Sequence, residues 1–222
     1  LFNKLPIEVI EIDFPYFLDQ QKLDHRQHDF VFVRDLFVSD QNGKVIISKF
    51  REKARQVEAD IMQIMLESMG YKTIRIPEES TATAEGGEFY YCPGDGVLFS
   101  GACRNNVEGA EWVAQEFNVD ELVIMKSNAF HLDTLFTPVI NKENKLVAVI
   151  GCTSLMEKDS AENLRQFAKR KHIELVEVPP EDAIGTADEL GEFAVNCQPL
   201  PGYLVGPTRF RSTKVAPLLK EL

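Results

Sequence analysis

The amino-acid sequence predicts an α/β fold built from repeated strand–strand–helix–strand units set around a common centre. Three observations predict it. Short runs rich in Val, Ile and Phe are joined by Gly- and Asn-containing turns, and each pair is followed by a segment with helical spacing of apolar residues. This order recurs along the chain at intervals of roughly 45 residues. No such unit can bury a sheet face alone, so the units must pack together, and about five of them would surround an axis with loops and strand ends at its middle.

The elements follow in order. Ile7 to Ile12 reads as the closing strand of a unit whose beginning lies outside the sequence. Phe30 to Val38 alternates and is rich in Val and Phe, which predicts a strand; a turn at Asp40-Gln41-Asn42-Gly43 leads into a second strand, Lys44 to Ser48. A helix is expected from Glu52 to Met69, with Val57, Ile61, Ile64, Met65 and Met69 on a helical period and Gly70 as its stop. The strand Tyr71 to Ile76, closed by Pro77, completes the unit. The second unit has strands Glu88 to Tyr91 and Gly96 to Ser100, a helix Val107 to Phe117 and a strand Glu121 to Met125. The third has strands Thr134 to Ile140 and Lys145 to Ile150, a helix Ser160 to Lys171 and a strand Ile173 to Val178. A fourth begins with Glu192 to Cys197 and Gly202 to Val205 and continues into a helix Thr213 to Leu222. Residues 1–222 thus read as a single domain, with a missing N-terminal portion and missing last strands expected.

Composition narrows the function classes. The chain is 44% hydrophobic and 27% charged, ordinary for a globular protein, and its formal net charge is -11. An acidic chain of this kind argues against a nucleic-acid partner, because phosphate binding needs clustered Lys and Arg. It favours solubility and attracts cationic small molecules. No apolar run approaches the ~18 residues of a membrane span, so no membrane role is expected. Cys92, Cys103, Cys152 and Cys197 are scattered, with no C-x-x-C pair, which points away from a zinc or redox motif and toward a reducing, cytoplasmic setting.

Four short segments carry the chemistry. Phe32-Val33-Arg34-Asp35 places a charged pair in an otherwise apolar run, where it must face solvent, be paired, or grip a cation. Glu85-Gly86-Gly87-Glu88 combines carboxylates with a backbone free to approach closely, and reads either as a plain turn or as part of a site. Cys103-Arg104-Asn105-Asn106 opens a helix; an Asn there can serve as its cap, and Arg104 can meet a carboxylate as a planar bidentate donor. His131-Leu132-Asp133-Thr134 enters an apolar strand, so His131 and Asp133 are expected on one face, a better acid/base candidate than a lone histidine, with Glu85 available elsewhere in the sequence. His25, His28 and His172 lie in polar stretches and read as surface.

In order and spacing these segments resemble the pentein superfamily of guanidine-modifying enzymes, which includes arginine deiminase, dimethylarginine dimethylaminohydrolase and the amidinotransferases. The resemblance runs from Phe32 to Val195-Asn196-Cys197, and the ordered set is far more specific than any one motif. It implies a five-bladed α/β propeller with a central site. It further implies that Asp35 and Asp133 hold a guanidinium from its two sides, with Phe32 lining the cleft. Glu85 would bind the guanidinium and orient the histidine, His131 would be the general acid/base, Arg104 would bind the substrate's α-carboxylate, and Asp29 would add a weaker polar contact. In such enzymes a cysteine thiolate attacks the guanidinium carbon, and no metal or organic cofactor takes part.

Two flanking aspartates suit unsubstituted nitrogens, whereas the modest size looks like the short hydrolases. The expectation is therefore a cysteine-dependent hydrolase of arginine or a (methyl)arginine-like substrate giving a citrulline-type product. The alternatives are an amidinotransferase and, if the chain is complete, a guanidine-binding module without activity. The nucleophile is expected beyond residue 222, because Ala194-Val195-Asn196-Cys197 matches a segment that lies upstream of the family's reactive cysteine. Oligomeric state is left open, with a homodimer the assembly considered.

Overall fold

A computed structural model of the protein describes residues 7–23 and 29–220. It opens with a helix, α1 (Phe14–Gln21), started by Asp13, whose carboxylate accepts from the Tyr16 amide. Three units of one plan follow. In the first, β1 (Phe37–Ser39) and β2 (Lys44–Ile47) form a hairpin, α2 (Gln56–Ser68) crosses over, and β3 (Lys72–Arg75) returns parallel to β2. The second has β4 (Phe89–Cys92), β5 (Val97–Gly101), α3 (Val107–Phe117) and β6 (Glu121–Met125) in the same relation. The third has β7 (Phe136–Ile140), β8 (Leu146–Gly151), α4 (Lys158–Lys171) and β9 (Glu174–Glu177). The last unit contributes a hairpin of β10 (Gln198–Leu200) and β11 (Tyr203–Val205), then α5 (Val215–Leu218).

The described residues therefore form three three-stranded sheets and one two-stranded sheet, and they do not close a ring of five. Among them, no helix is long and apolar enough to cross a membrane.

The middle strands explain how the sheets stack. In β2, Val45 and Ile47 join the apolar cluster of the unit's own helix, with Ala59, Ile61, Met62 and Met65, while Ile46 points the other way into the cluster built on α3. In β5, Leu98 packs with Ala110, Val113 and Phe117 of α3, while Val97 and Phe99 face the cluster that contains Leu164 and Phe167 of α4. Period-two alternation thus buries both faces of each middle strand, one under its own helix and one against the next unit. Phe99 is fully buried, with ring centroids 4.9 Å from Phe136 and 5.3 Å from Phe167.

Several expectations are corrected. Residues 30–38 are not one strand: Val33–Leu36 is a 3-10 turn and only Phe37–Ser39 pairs. The alternating Val and Phe residues have no sheet partner there, and Val31 and Phe32 are exposed, whereas the turn folds Asp35 and Leu36 inward. Ile7 to Ile12 forms no strand and its apolar residues stay exposed. Glu192 to Cys197 is a turn segment ahead of β10, not a strand. The helix expected from Glu52 starts at Gln56 after a 3-10 turn, Lys53–Arg55. Helix α1 carried no sequence expectation. His25, His28, Glu221 and Leu222 lie outside the described residues.

Phe99→Ala is expected to destabilise the protein by about 3–5 kcal/mol, because the cavity opens between two units that cannot both collapse into it. Chemical denaturation of the two proteins would check this; a change under 1 kcal/mol would mean that the units are not packed as described.

Candidate active site

Each of the first strands β1, β4 and β7 is preceded by a 3-10 turn, at Val33–Leu36, Gly86–Glu88 and Leu132–Thr134. The first of these turns packs on the second, and the second on the third. The motif residues are carried at or beside these turns, so stacking the sheets brings segments about 50 residues apart into one place.

His131 is at the centre and 4% exposed. Its Nε2 lies 2.9 Å from Glu85 Oε2, and its Nδ1 lies 3.5 Å from Asp35 Oδ1. Gly87 lets this happen: a Cβ there would sit 2.5 Å from Asp35 Oδ1 and 2.9 Å from His131 Nδ1. Glu85 is itself held, its Oε1 accepting from the Arg51 amide (3.0 Å) and its own amide donating to Asn105 Oδ1 (2.7 Å). Asn106, not Asn105, caps α3, by accepting from the Gly109 amide. His131 and Asp133 flank Leu132 in a 3-10 turn, so their proximity comes from the turn and not from strand alternation. Burial alone would lower the His131 pKa, but the Glu85 hydrogen bond and the charges of Asp35, Asp133 and Glu88 together raise it above 6.5.

Two internal arginines occupy the aspartates. Arg55 Nη1 donates to Asp35 Oδ2 at 2.7 Å, its Nε pairs with Glu58 Oε2 at 3.1 Å, and its Nη2 donates to the Asp29 carbonyl at 3.3 Å. Arg34 lies with Nε 3.6 Å from Asp133 Oδ2, donates from Nη1 to the Cys197 carbonyl and from Nη2 to the Phe89 carbonyl, and stacks 4.0 Å over Tyr90. Burial raises the Asp133 pKa, and Asp35 adds to this, while Arg34, His131 and a hydrogen bond from Asn196 oppose it without cancelling it.

Asp35, Glu85, His131 and Asp133 are thus brought together and buried. The other expected residues stand further out. Arg104 stacks 4.1 Å over Phe130, whose ring lies 4.5 Å from that of His131, and its Nη1 is 3.5 Å from Glu52. Asp29 is exposed, with its carboxylate 3.9 Å from Arg55 Nε, and Phe32 is 57% exposed. Sequence reasoning missed Arg55, Asn196 and Phe130, and it offered Asn105 only as a helix cap. The one usable signal was the excess of carboxylates in the motifs, which demands cations from elsewhere.

All four cysteines have thiol pKa values raised by burial. Cys197 is buried, its Sγ donates to the Ala194 carbonyl, and burial pushes its pKa up to about 12. Burial also pushes Cys92 up to about 12, and Cys103 and Cys152 are raised as well. Among the described residues, no group of three or more His, Cys, Asp and Glu side chains is arranged to hold a metal ion.

No protein-family model and no curated protein sequence matches the chain. Solved structures do. The chain is similar to ArgZ, an arginine dihydrolase from the ornithine–ammonia cycle in cyanobacteria, over 94% of its own length and 32% of that chain, at 18% identity and a TM-score of 0.69. It is similar to the N-terminal domain of ArgZ, solved as a cysteine-to-serine mutant bound to substrate, over 87% of its length and 66% of that chain, at 20% identity and a TM-score of 0.68. It is also similar to DDAH from Pseudomonas aeruginosa, in complex with citrulline, over 93% of its length and 75% of that chain, at 16% identity and a TM-score of 0.63. The chain therefore shares the α/β fold of pentein-superfamily, guanidino-modifying enzymes. It spans less than two thirds of the length of the ArgZ structures named here.

The raised His131 pKa has a definite sign for stability. The folded state holds the proton more tightly than the unfolded chain, so this contribution is complete below about pH 6.5 and is lost as pH rises through the folded-state pKa. The stability difference between wild type and His131→Gln is expected to shrink as pH climbs through that window, and proton NMR titration of the imidazole should show a midpoint above 6.5. A midpoint below 6.5 would mean that desolvation outweighs the carboxylates.

Proposed function

We propose that the chain provides the acid/base and substrate-binding side chains of a hydrolase that cleaves the guanidinium C–N bond of arginine or a close relative. The observation that carries this reading is the buried imidazole of His131 between Glu85 and Asp35, with Asp133 beside it. A guanidinium carbon is a poor electrophile because its charge is spread over three nitrogens. Carboxylates that hold the group in one orientation and balance its charge supply positioning and electrostatics. Arg55 on Asp35 and Arg34 beside Asp133 support the choice of ligand, since each aspartate already has a guanidinium as its neighbour.

In the proposed reaction a cysteine thiolate adds to the guanidinium carbon. His131, whose protonated form is favoured by the Glu85 hydrogen bond and the surrounding carboxylates, gives its proton to the departing ammonia as the C–N bond breaks, leaving a thiouronium on sulfur. The neutral imidazole then takes a proton from water, which attacks the same carbon, and collapse expels the thiolate and a citrulline-type ureido product. Arg104 would receive the substrate's α-carboxylate, while Phe32 and Asp29 would border the cleft. Burial raises the pKa of each of the four cysteines, so the residue that supplies the thiolate is left for the trapping experiment below to identify. ArgZ, described as an arginine dihydrolase, and DDAH, solved with citrulline, are consistent with guanidino hydrolysis as the general class.

The test is turnover of L-arginine by the natural protein, with citrulline and ammonia both measured. His131→Asn and Glu85→Gln are each expected to lower kcat by roughly 10²–10⁴-fold, and acid quenching should trap a thiouronium adduct on one cysteine by mass spectrometry. Ornithine formed together with guanidinoacetate when glycine is added would convert the reading to amidino transfer. Tight arginine binding without any product would leave only a binding module.

A further inference from the structure

Glu88 is the most deeply buried carboxylate of the site, 1% exposed, and none of the roles above uses it. Its oxygens accept from backbone. Oε1 takes the amides of Cys103 (3.0 Å) and Arg104 (2.5 Å), and Oε2 takes the amide of Leu132 (2.8 Å). These amides belong to two loops, one following β5 and the other preceding β7. Leu132 sits between His131 and Asp133, and Arg104 contributes its own amide. One side chain therefore ties the amide of Arg104 to the peptide that joins His131 to Leu132. The approach is close: a Cβ on Gly101 would collide with Glu88 Oε2 and come within 3.0 Å of Leu132 Cβ.

We propose that Glu88 is a positioning residue that sets the distance between the proton-transfer group His131 and the carboxylate-binding Arg104. The inference rests on the guanidino-hydrolase reading. The chemistry of the contact favours a carboxylate. Three N–H donors converge on one group, so that group must accept on both atoms; a glutamine would turn an NH2 toward an N–H, and an aspartate is one methylene too short to span both loops. The charge also reaches the imidazole. His131 faces Glu85, Asp35, Asp133 and Glu88, with Asp35 paired to Arg55 and Asp133 to Arg34, whereas Glu88 has only amides as hydrogen-bond partners.

The experiment compares steady-state kinetics of the natural protein with those of Glu88→Gln and Glu88→Asp on L-arginine across pH, together with thermal melts. For Glu88→Gln the expected result is a KM raised and a kcat lowered, each roughly 10–100-fold. The pH limb assigned to His131 should also move to lower pH, because a negative neighbour has been removed. Glu88→Asp keeps the charge, so its limb should stay near that of the wild type while its KM remains raised. A lower Tm with KM, kcat per folded enzyme and limb all unchanged would overturn the proposal and leave Glu88 a structural staple. If Glu88→Gln does not fold, Glu88→Asp decides: a raised KM sustains the proposal, and a wild-type KM overturns it. Failure of the natural protein to turn over arginine would instead remove the hydrolase reading. That result is separable, because it appears before any variant is compared and His131→Asn would then change nothing.

Discussion

The site is organised by a problem of like charge. Asp35, Glu85, Glu88 and Asp133 are each at most 5% exposed and share the surroundings of one imidazole. Carboxylates so crowded and so desolvated cannot all stay ionised unless each finds a cation or hydrogen-bond donors. The structure answers each differently. Glu85 has the His131 ring and the Arg51 amide, Asp35 has Arg55, Asp133 has Arg34 and Asn196, and Glu88 has three amides. Removing any one partner would leave a buried charge, so the loops that carry these partners are held where they are by electrostatics as much as by packing. Burial nonetheless raises the pKa of Asp133 and of Glu88, against the opposing pull of their donors.

The compensation works because the fold repeats. Each sheet stacks its middle strand between its own helix and the next unit, and this fixes the spacing of the first strands β1, β4 and β7. The turns that enter those strands are then forced together at one end. Apolar packing such as Phe99 on Phe136 and Phe167 therefore has a consequence for chemistry: it holds the imidazole and the carboxylates, which come from different units, at hydrogen-bond distance. Arg34 extends the same logic to the last unit, since it reaches from beside Asp35 to the carbonyl of Cys197.

Much of this was legible in the residues. The helix Val107–Phe117 and the strand Glu121–Met125 fall where the periodicity predicts, because their apolar faces meet clusters made within or next to their own unit. Asp35 stood out as a charge in an apolar run, whereas it was the family resemblance that joined it with Glu85, His131 and Asp133 as a set. What failed was local geometry wherever a tertiary contact decides it. Val31 and Phe32 alternate like a strand but have no sheet partner, and the chain takes a 3-10 turn instead so that Asp35 can reach Arg55. Arg55 and Glu88 stayed hidden for the same reason. One looks like a helix-start arginine on the surface and the other like the end of a turn, and only the stacked units reveal that each closes a contact with another loop.

The internal arginines bear on what the site can bind. A guanidinium entering between Asp35 and Asp133 meets carboxylates that already have guanidinium neighbours, so its gain is a difference, not the full value of two new ion pairs. That difference is favourable where the incoming cation takes an oxygen that the internal one leaves free. Asp35 offers this: Arg55 holds Oδ2, while Oδ1 faces His131 at 3.5 Å, longer than a strong charge-assisted hydrogen bond. A ligand nitrogen inserted on the Oδ1 side would lie next to the imidazole proposed as the proton donor. A cation without planar N–H donors could neutralise the charge but could not bridge Asp35 and Asp133 in a fixed plane. Under the proposed guanidino-hydrolase reading, the arrangement would select for the shape of the group as well as its charge, and it would set the bond to be broken beside His131.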